Sequence, residues 1–366
     1  MDKLIGAKTK PRALTRRTLV KAGTAMAGVA LTGAAASLMR AYAAQRFEGR
    51  TVVFSSYGGS YQQNEKTCYC DPFTAKTGAK VLQDGPFDEA KFRVMVESGN
   101  PVWDVGEAAL NFLHSGAKQN LFQKLDFSRI DVKRIDPRFV TEYGVGNVAT
   151  SYNIAYNTKL IQPGAHPRSW AEVFDVKKFP GARSLMNKVA PMLEIALLAD
   201  GVAMDKLYPL DADRAFKKLD TIKHNVVWWD TFSQSQQLVV DGEASCGVMN
   251  SGRVFDAFKK GASVAVEWNQ NIQNGGFWVI LRGSKNADVA HGLIDEMTVA
   301  ENQANMANLN AYSPTNPDAL KLVNAEIRPW LPLYPDNAKL GVLINGAFWA
   351  EHQRALNDRW NEWKLS

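Results

Sequence analysis

The chain has 366 residues, with 43 Lys and Arg against 37 Asp and Glu and three cysteines. Its basicity is local: residues 1–44 hold eight basic side chains (Lys3, Lys8, Lys10, Arg12, Arg16, Arg17, Lys21 and Arg40) and one acid, Asp2, so residues 45–366 carry 35 basic and 36 acidic groups. A near-neutral body excludes the electrostatic footprint of a nucleic-acid binder, and the absence of C-x-x-C or Cys/His zinc spacing excludes a structural zinc site.

In chain order, Thr15–Gly23, "TRRTLVKAG", sets an arginine pair before the Ala- and Gly-rich run Ala22–Met39, and "AYAA" follows at Ala41–Ala44. This pattern predicts a twin-arginine signal peptide over residues 1–44, cleaved after Ala43 or Ala44, with export to the periplasm. A membrane anchor is the weaker reading, because Gly and Ala partition poorly into lipid and Arg40 interrupts the run. The remaining 322 residues (45–366) exceed the size at which one core stops growing, about 250–300 residues, so two lobes are expected.

"RTVVFSSY" predicts a strand, and the glycine pair of "YGGSYQ" breaks it. A helix over "SYQQNEKTCYCDPFTAKTG" should close near Gly78, with Cys68 and Cys70 pointing to different faces. These two and Cys246 read as buried free thiols, a disulfide from Cys246 to either being the alternative in an oxidising compartment. "AKVLQD" and "VWDVGEA" are further strands with "DEAKFRVMVESGN" as a helix between them, and such alternation specifies βαβ units and a mostly parallel sheet. Asn147–Ile161 alternates as a long strand able to cross between lobes. A second series of helices and strands then runs to "GGFWVILRGSKN", and the tail from Asp318 to Ser366 reads as helical with prolines between segments. The expected division is lobe 1 over 45–149 and 277–317, lobe 2 over 150–276, and C-terminal helices over 318–366 packing across both.

No enzyme motif survives this framework. "GVGNVA" fits G-x-G-x-x-A but precedes a strand where a dinucleotide site needs a helix. No G-x-S-x-G elbow surrounds Ser60, no Walker loop or H-E-x-x-H is present, and the five histidines stand singly. The expectation is therefore a protein that is not an enzyme and has no cofactor and no metal site. Ligands of open α/β sheets sit beyond the carboxyl ends of strands. The polar and aromatic residues expected there are Tyr57, Gly59, Ser60, Tyr61, Glu107, Tyr152, Lys188, Trp229, Asp230, Asn250, Arg253, Phe277, Trp278 and Tyr312.

The ordered set "YGGSYQ", "PFTAKTGAKV", "WDVGEA", "LFQKLD", "VATSYNIAYNTKLI", "PRSWAEVFDVKKFPGARSL", "QQLVVDGEASCGV", "GGFWVILRGSKNADVAHGLIDEM" and "AYSPTNPDA" resembles the extracellular solute-binding proteins of ABC importers. The resemblance runs from Phe47 to about Asp358 and is nearest to the spermidine/putrescine receptor group. It implies an α/β, type II-like two-lobed periplasmic binding protein whose lobes, each a mostly parallel sheet flanked by helices, are joined by two hinge strands. It also implies a small ligand trapped by hinge closure and delivery of the closed complex to an inner-membrane ABC permease; nothing in the sequence indicates oligomerisation, so a monomer is expected.

The site departs from the polyamine pattern. That group places acids where this chain has Asn187 and Lys188, a Trp before Asn-Gly where this chain has Met249 and Asn250, and an Asp after "GGxFW" where none occurs. Cations in place of carboxylates disfavour a polycation, so the expected ligand carries both signs: a γ-amino acid, an opine or an aminophosphonate. Asp230 or Glu107 would meet its amine, Arg253 or Lys188 its anionic end, with Arg253 favoured for its bidentate fork. Tyr57, Trp229 and Trp278 would sandwich its middle. The alternatives are a polyamine receptor with a rearranged site, a ferric-ion receptor, which would need clustered tyrosinates, and more distantly a periplasmic hydrolase using Ser60.

Overall fold

The computed structural model describes residues 46–162 and 164–366, so the export signal expected over 1–44 lies outside the described residues. Strand β1 (Thr51–Ser55) buries Val52 and Phe54 completely and runs out at Tyr57. Gly58 and Gly59 follow at φ +83° and +62°, the left-handed region that only glycine enters freely, which is why the sequence spends two glycines there. The next helix is α1 (Gly59–Glu65), a π-helical turn (Lys66–Cys70) and α2 (Asp71–Thr77) laid end to end. It is closed by Gly78 in the αL cap position. The π turn changes the phase of the helix, so Cys68, Tyr69 and Cys70 are all buried instead of facing opposite ways. All three cysteines are free and buried.

Strand β2 (Lys80–Asp84), helix α3 (Glu89–Glu97), strand β3 (Val105–Ala109) and helix α4 (Leu110–Lys118) complete the first half. Strand β4 (Gly144–Asn157) leads to α5 (Trp170–Phe174), β5 (Arg183–Met186), α6 (Val189–Ala199) and α7 (Ala212–Asp220). Then come β6 (Val226–Trp229), α8 (Phe232–Val240), β7 (Cys246–Asn250), α9 (Ser251–Lys259) and β8 (Val264–Ile280). The remainder is α10 (Ala287–Met297), α11 (Ala300–Asn310), β9 (Ser313–Pro314), α12 (Ala319–Leu322), α13 (Pro335–Ala338), β10 (Gly341–Leu343) and α14 (Gly346–Leu365).

The sheet is one mixed ladder in the order β2-β1-β3-β8-β4-β7-β5-β6, with β10 on β8 and β9 on β4. β1 is parallel to β2 and β3, and β5 is parallel to β6 and β7. The contacts joining these groups, β3–β8, β8–β4 and β4–β7, are antiparallel. The two crossing strands are long enough to serve both halves, 14 residues in β4 and 17 in β8, and for that reason the halves share one ladder. Gly276–Ile280 of β8 pairs with β3, whereas Val264–Glu267 pairs with the far end of β4. Register shifts in β4 between Gly146 and Ala149, and between Tyr152 and Ile154, flank the crossing. Strand β10 departs from the wholly helical tail expected from sequence.

Close packing inside the second half rests on Gly247, where a Cβ would lie 2.0 Å from the Ser184 carbonyl oxygen on β5. Gly247→Ala should cost about 2–3 kcal/mol by prising β7 from β5, seen as a lower urea midpoint at unchanged m-value. Helix α14 touches both halves. Gln353 accepts from Asn111 of α4 at 2.8 Å. Trp349 Nε1 donates to Glu194 of α6 at 2.6 Å and Trp363 Nε1 to Asp220 of α7 at 2.7 Å.

Candidate functional site

Parallel pairing brings the carboxyl ends of β7, β5 and β6 to one edge, which presents Asn250, then Asn187 and Lys188, then Trp229 and Asp230. The ends of β1 and β3 carry Tyr57 and Ala109–Asn111. A cavity of about 290 Å³ is lined by residues from both sets: Tyr152, Lys188 and Phe232 from the second half, Glu89, Ala109 and Asn111 from the first. Its remaining wall includes Ala190, Pro191 and Asn274, with Trp349 and Gln353 reaching in from α14. A wider groove of about 630 Å³ lies apart, along Leu160–Gln162, Lys178–Ala182 and Gly242–Ser245, and contains none of the residues expected at a site.

The residues singled out in the sequence meet different fates. Tyr152 and Lys188 line the cavity, with Tyr152 6.3 Å ring to ring from Phe232 and its hydroxyl pushed up to about 12 mainly by burial. Tyr57 (48% exposed), Tyr61 and Tyr312 form a continuous aromatic wall, with centroids 6.3 and 6.2 Å apart. Tyr312 lies against the first turn of α9, where a Cβ on Gly252 would come 2.3 Å from its ring. Asn250 caps that helix by accepting from Gly252 N at 3.1 Å, and Arg253 is half-buried beside Tyr312.

Asp230 is exposed at the end of β6 and accepts from Asn187 Nδ2 at 3.0 Å. Gly59 and Ser60 are exposed, and Gly59 borders a separate depression shared with Gln62, Gln83 and Pro86. Trp229, Phe277 and Trp278 are sealed in the interior at 1%, 1% and 0% exposure, so none offers a face to a solute here. Phe277 packs on Phe139 and Trp278 on Tyr69, while Trp229 underlies Phe232, the aromatic that does reach the cavity.

Glu107, expected as a possible partner for an amine, is fully buried. It accepts from Tyr61 Oη at 3.3 Å, Ser56 Oγ at 3.1 Å and Asn147 Nδ2, while Ser56 Oγ also faces Glu65. A single hydroxyl proton cannot serve both acids, and two buried carboxylates cannot both ionise cheaply. Burial pushes Glu107 up to about 7 and, helped by the charge of Glu107, holds Glu65 well above the carboxylate range. The pair shares a proton and braces the tyrosine wall from behind.

Sequence reasoning missed Glu89, Asn111, Phe232, Asn274, Trp349 and Gln353. Phe232 lies two residues past Asp230 and opens α8, and its nearness to a singled-out strand end was a usable signal. Glu89 is exposed at the cavity mouth, and partial desolvation by its neighbours raises it, with Arg93 opposing. Nothing local marks Trp349 and Gln353, which arrive from the last helix.

Comparison with known proteins agrees with this architecture. Residues 69–330 match the family described as bacterial extracellular solute-binding protein, and the chain belongs to that family. A gamma-aminobutyric acid-binding protein of Pseudomonas aeruginosa is 31% identical over 329 residues, 88% of this chain and 93% of the relative. Among solved structures, the Atu4243-GABA receptor superposes with a TM-score of 0.80 at 41% identity, covering 86% of this chain and 98% of its own. The PBP AgtB from A. tumefaciens R10, in complex with agropinic acid, superposes at 0.73 with 34% identity, covering 87% and 99%. The fold is thus that of the two-lobed periplasmic binding proteins, and the family is one of binding proteins of ABC transporters rather than enzymes.

Proposed function

We propose that the protein is the periplasmic receptor of an ABC importer for a small γ-amino acid, captured as a zwitterion as the 150–276 lobe closes on the lobe formed by 45–149 and 277–317. The observation that carries this reading is the charge content of the cleft: an ammonium, Lys188, and a carboxylate, Glu89, share one cavity with aromatic walls. Arg253, in the first turn of α9, and Asp230, at the end of β6, add one charge of each sign nearby. A ligand with one charge of each sign is matched by such a set, whereas a diamine would face uncompensated cations. The volume, at the small end of the roughly 300–1,000 Å³ typical of ligand clefts, favours an unbranched amino acid over a bulkier opine. The relatives named for γ-aminobutyrate support the same ligand class. Export through the twin-arginine route and action as a monomer belong to this proposal.

Isothermal titration with 4-aminobutyrate, putrescine and an opine tests it. Saturable binding of 4-aminobutyrate is expected, with putrescine at least a hundredfold weaker, and Lys188→Ala or Arg253→Ala should weaken 4-aminobutyrate by about tenfold or more, about 1.4 kcal/mol. Tighter binding of putrescine would refute the zwitterion reading in favour of a rearranged polyamine site.

A further inference from the structure

A carboxyl group lies directly behind the cavity wall. Glu194 occupies the first regular turn of α6 after its break at Ala190–Pro191, the two residues that line the cavity. It is 0% exposed. Its Oε1 accepts from Trp349 Nε1 at 2.6 Å, the indole in the cavity wall, and from Tyr208 Oη at 2.6 Å. Its charge also acts on Tyr152, another wall residue. Its second oxygen, Oε2, is buried and has no hydrogen-bond partner among the described residues.

A buried carboxylate ordinarily has a cation or a full set of donors. Among the described residues, the titratable groups facing Glu194 are Tyr208 and Tyr152, neither of which supplies positive charge. On the neighbouring α7, Arg214 and Lys218 are turned to Asp200, at 2.6 and 3.7 Å. The charged side chains in the cavity itself are Lys188 and Glu89.

The geometry points to Glu194 as the fixed countercharge behind the cavity wall that selects amine-bearing solutes, the solute's ammonium supplying the positive charge that Oε2 lacks. This rests on the zwitterion reading and assigns its amine end. The carboxyl acts as a specificity determinant across the Trp349 wall, by charge rather than by contact. Burial pushes it up to about 7, so the countercharge is present above neutrality and fades below it. Amine affinity should therefore rise with pH between 6 and 8, and binding near pH 7 should release protons, because the ammonium favours the ionised acid.

Titrations of 4-aminobutyrate from pH 6 to 8.5, and of butyrate, which has the same chain without the amine, decide the matter. In the wild type, 4-aminobutyrate should bind about tenfold tighter at pH 8 than at pH 6. Glu194→Gln, which keeps an acceptor for Trp349 and Tyr208, should weaken 4-aminobutyrate about tenfold at pH 8, leave any butyrate binding unchanged and flatten the pH profile. Trp349→Phe should disturb the wall yet keep the pH profile. If Glu194→Gln weakens both solutes equally, or keeps the pH profile, Glu194 only anchors α14 and the inference is overturned while the zwitterion reading stands. If the wild type takes up no amine-bearing solute, both fall.

Discussion

Between pH 5 and pH 8 the protein is expected to lose several kcal/mol of unfolding free energy. Glu107 and Glu194 are both fully buried and both pushed up to about 7, from an ordinary carboxylate value near 4.5, with burial the leading cause. An acid whose folded value is raised binds its proton more tightly in the native state, so its contribution is complete below about pH 4.5 and is lost as pH rises through 7. For Glu194 that amounts to about 3 kcal/mol, and the Glu65–Glu107 pair adds a contribution of the same sign. Half-exposed acids held low by hydrogen bonds and cations, such as Asp84 and Asp200, act in the opposite sense, but only at lower pH. Stability should therefore peak near pH 5, and urea unfolding at pH 5, 6.5 and 8 measures it. Glu65→Gln, which mimics the protonated member of the pair, should flatten part of the slope. A free energy that stays level or rises from pH 5 to 8 would mean these acids are ionised throughout.

Arg183→Met should cost about 4–5 kcal/mol, at the upper end for a single substitution. Arg183 opens β5 with a guanidinium at 0% exposure. It donates to the carbonyls of Val173 (2.5 Å), Gly181 (2.6 Å), Phe179 (2.5 Å) and Asp175 (3.3 Å), and to Ser245 Oγ at 3.3 Å. No carboxylate is among these partners, so the cation is stabilised by four backbone carbonyls of the 173–181 segment, of which Asp175 O also accepts from Phe179 N at 3.1 Å. Met fills the space but strands the carbonyls. Lys reaches with one ammonium and three donors where five were in use, and should recover less than half of the loss. The check is the urea midpoint, together with faster amide exchange confined to 173–183. Uniform exchange would mean that the loop holds without the clamp.

The α/β alternation, the crossing strand at Asn147–Ile161 and the placement of Tyr57 and Lys188 at strand ends were legible because local period and strand polarity determine them, whereas Tyr152, expected at a strand end, sits mid-way along the crossing strand β4. The tandem aromatics were not. In Trp228–Trp229 and Phe277–Trp278 the strand period sends neighbours to opposite faces, but helices cover both faces of this sheet, so neither position is marked as solvent-facing. The structure turns Trp278 onto Tyr69 and Phe277 onto Phe139. Glu107 misled for a related reason: an acid at a strand end reads as a ligand group until Glu65, Ser56, Tyr61 and Asn147 are seen to enclose it. Trp349 and Gln353 depend on where the last helix docks, which no local pattern reveals.

The ladder order has a consequence for how the chain assembles. Strands β4 to β7 and their closing partner β8 come from one continuous stretch, residues 144–280, whereas Val105–Ala109, paired on one side with β1, finds its second neighbour only in Gly276–Ile280. Until those last residues are available, β1, β2 and β3 form a parallel trio whose β3 edge is bare in addition to the outer edge of β2, the kind of surface on which a second chain can pair. Loop closure across so long an interval is entropically slow. Because the pairing end of β8 follows β3 only after the whole of 144–275, the β3 edge stays uncovered on the growing chain through that interval, and mispairing with a second chain is expected to start there.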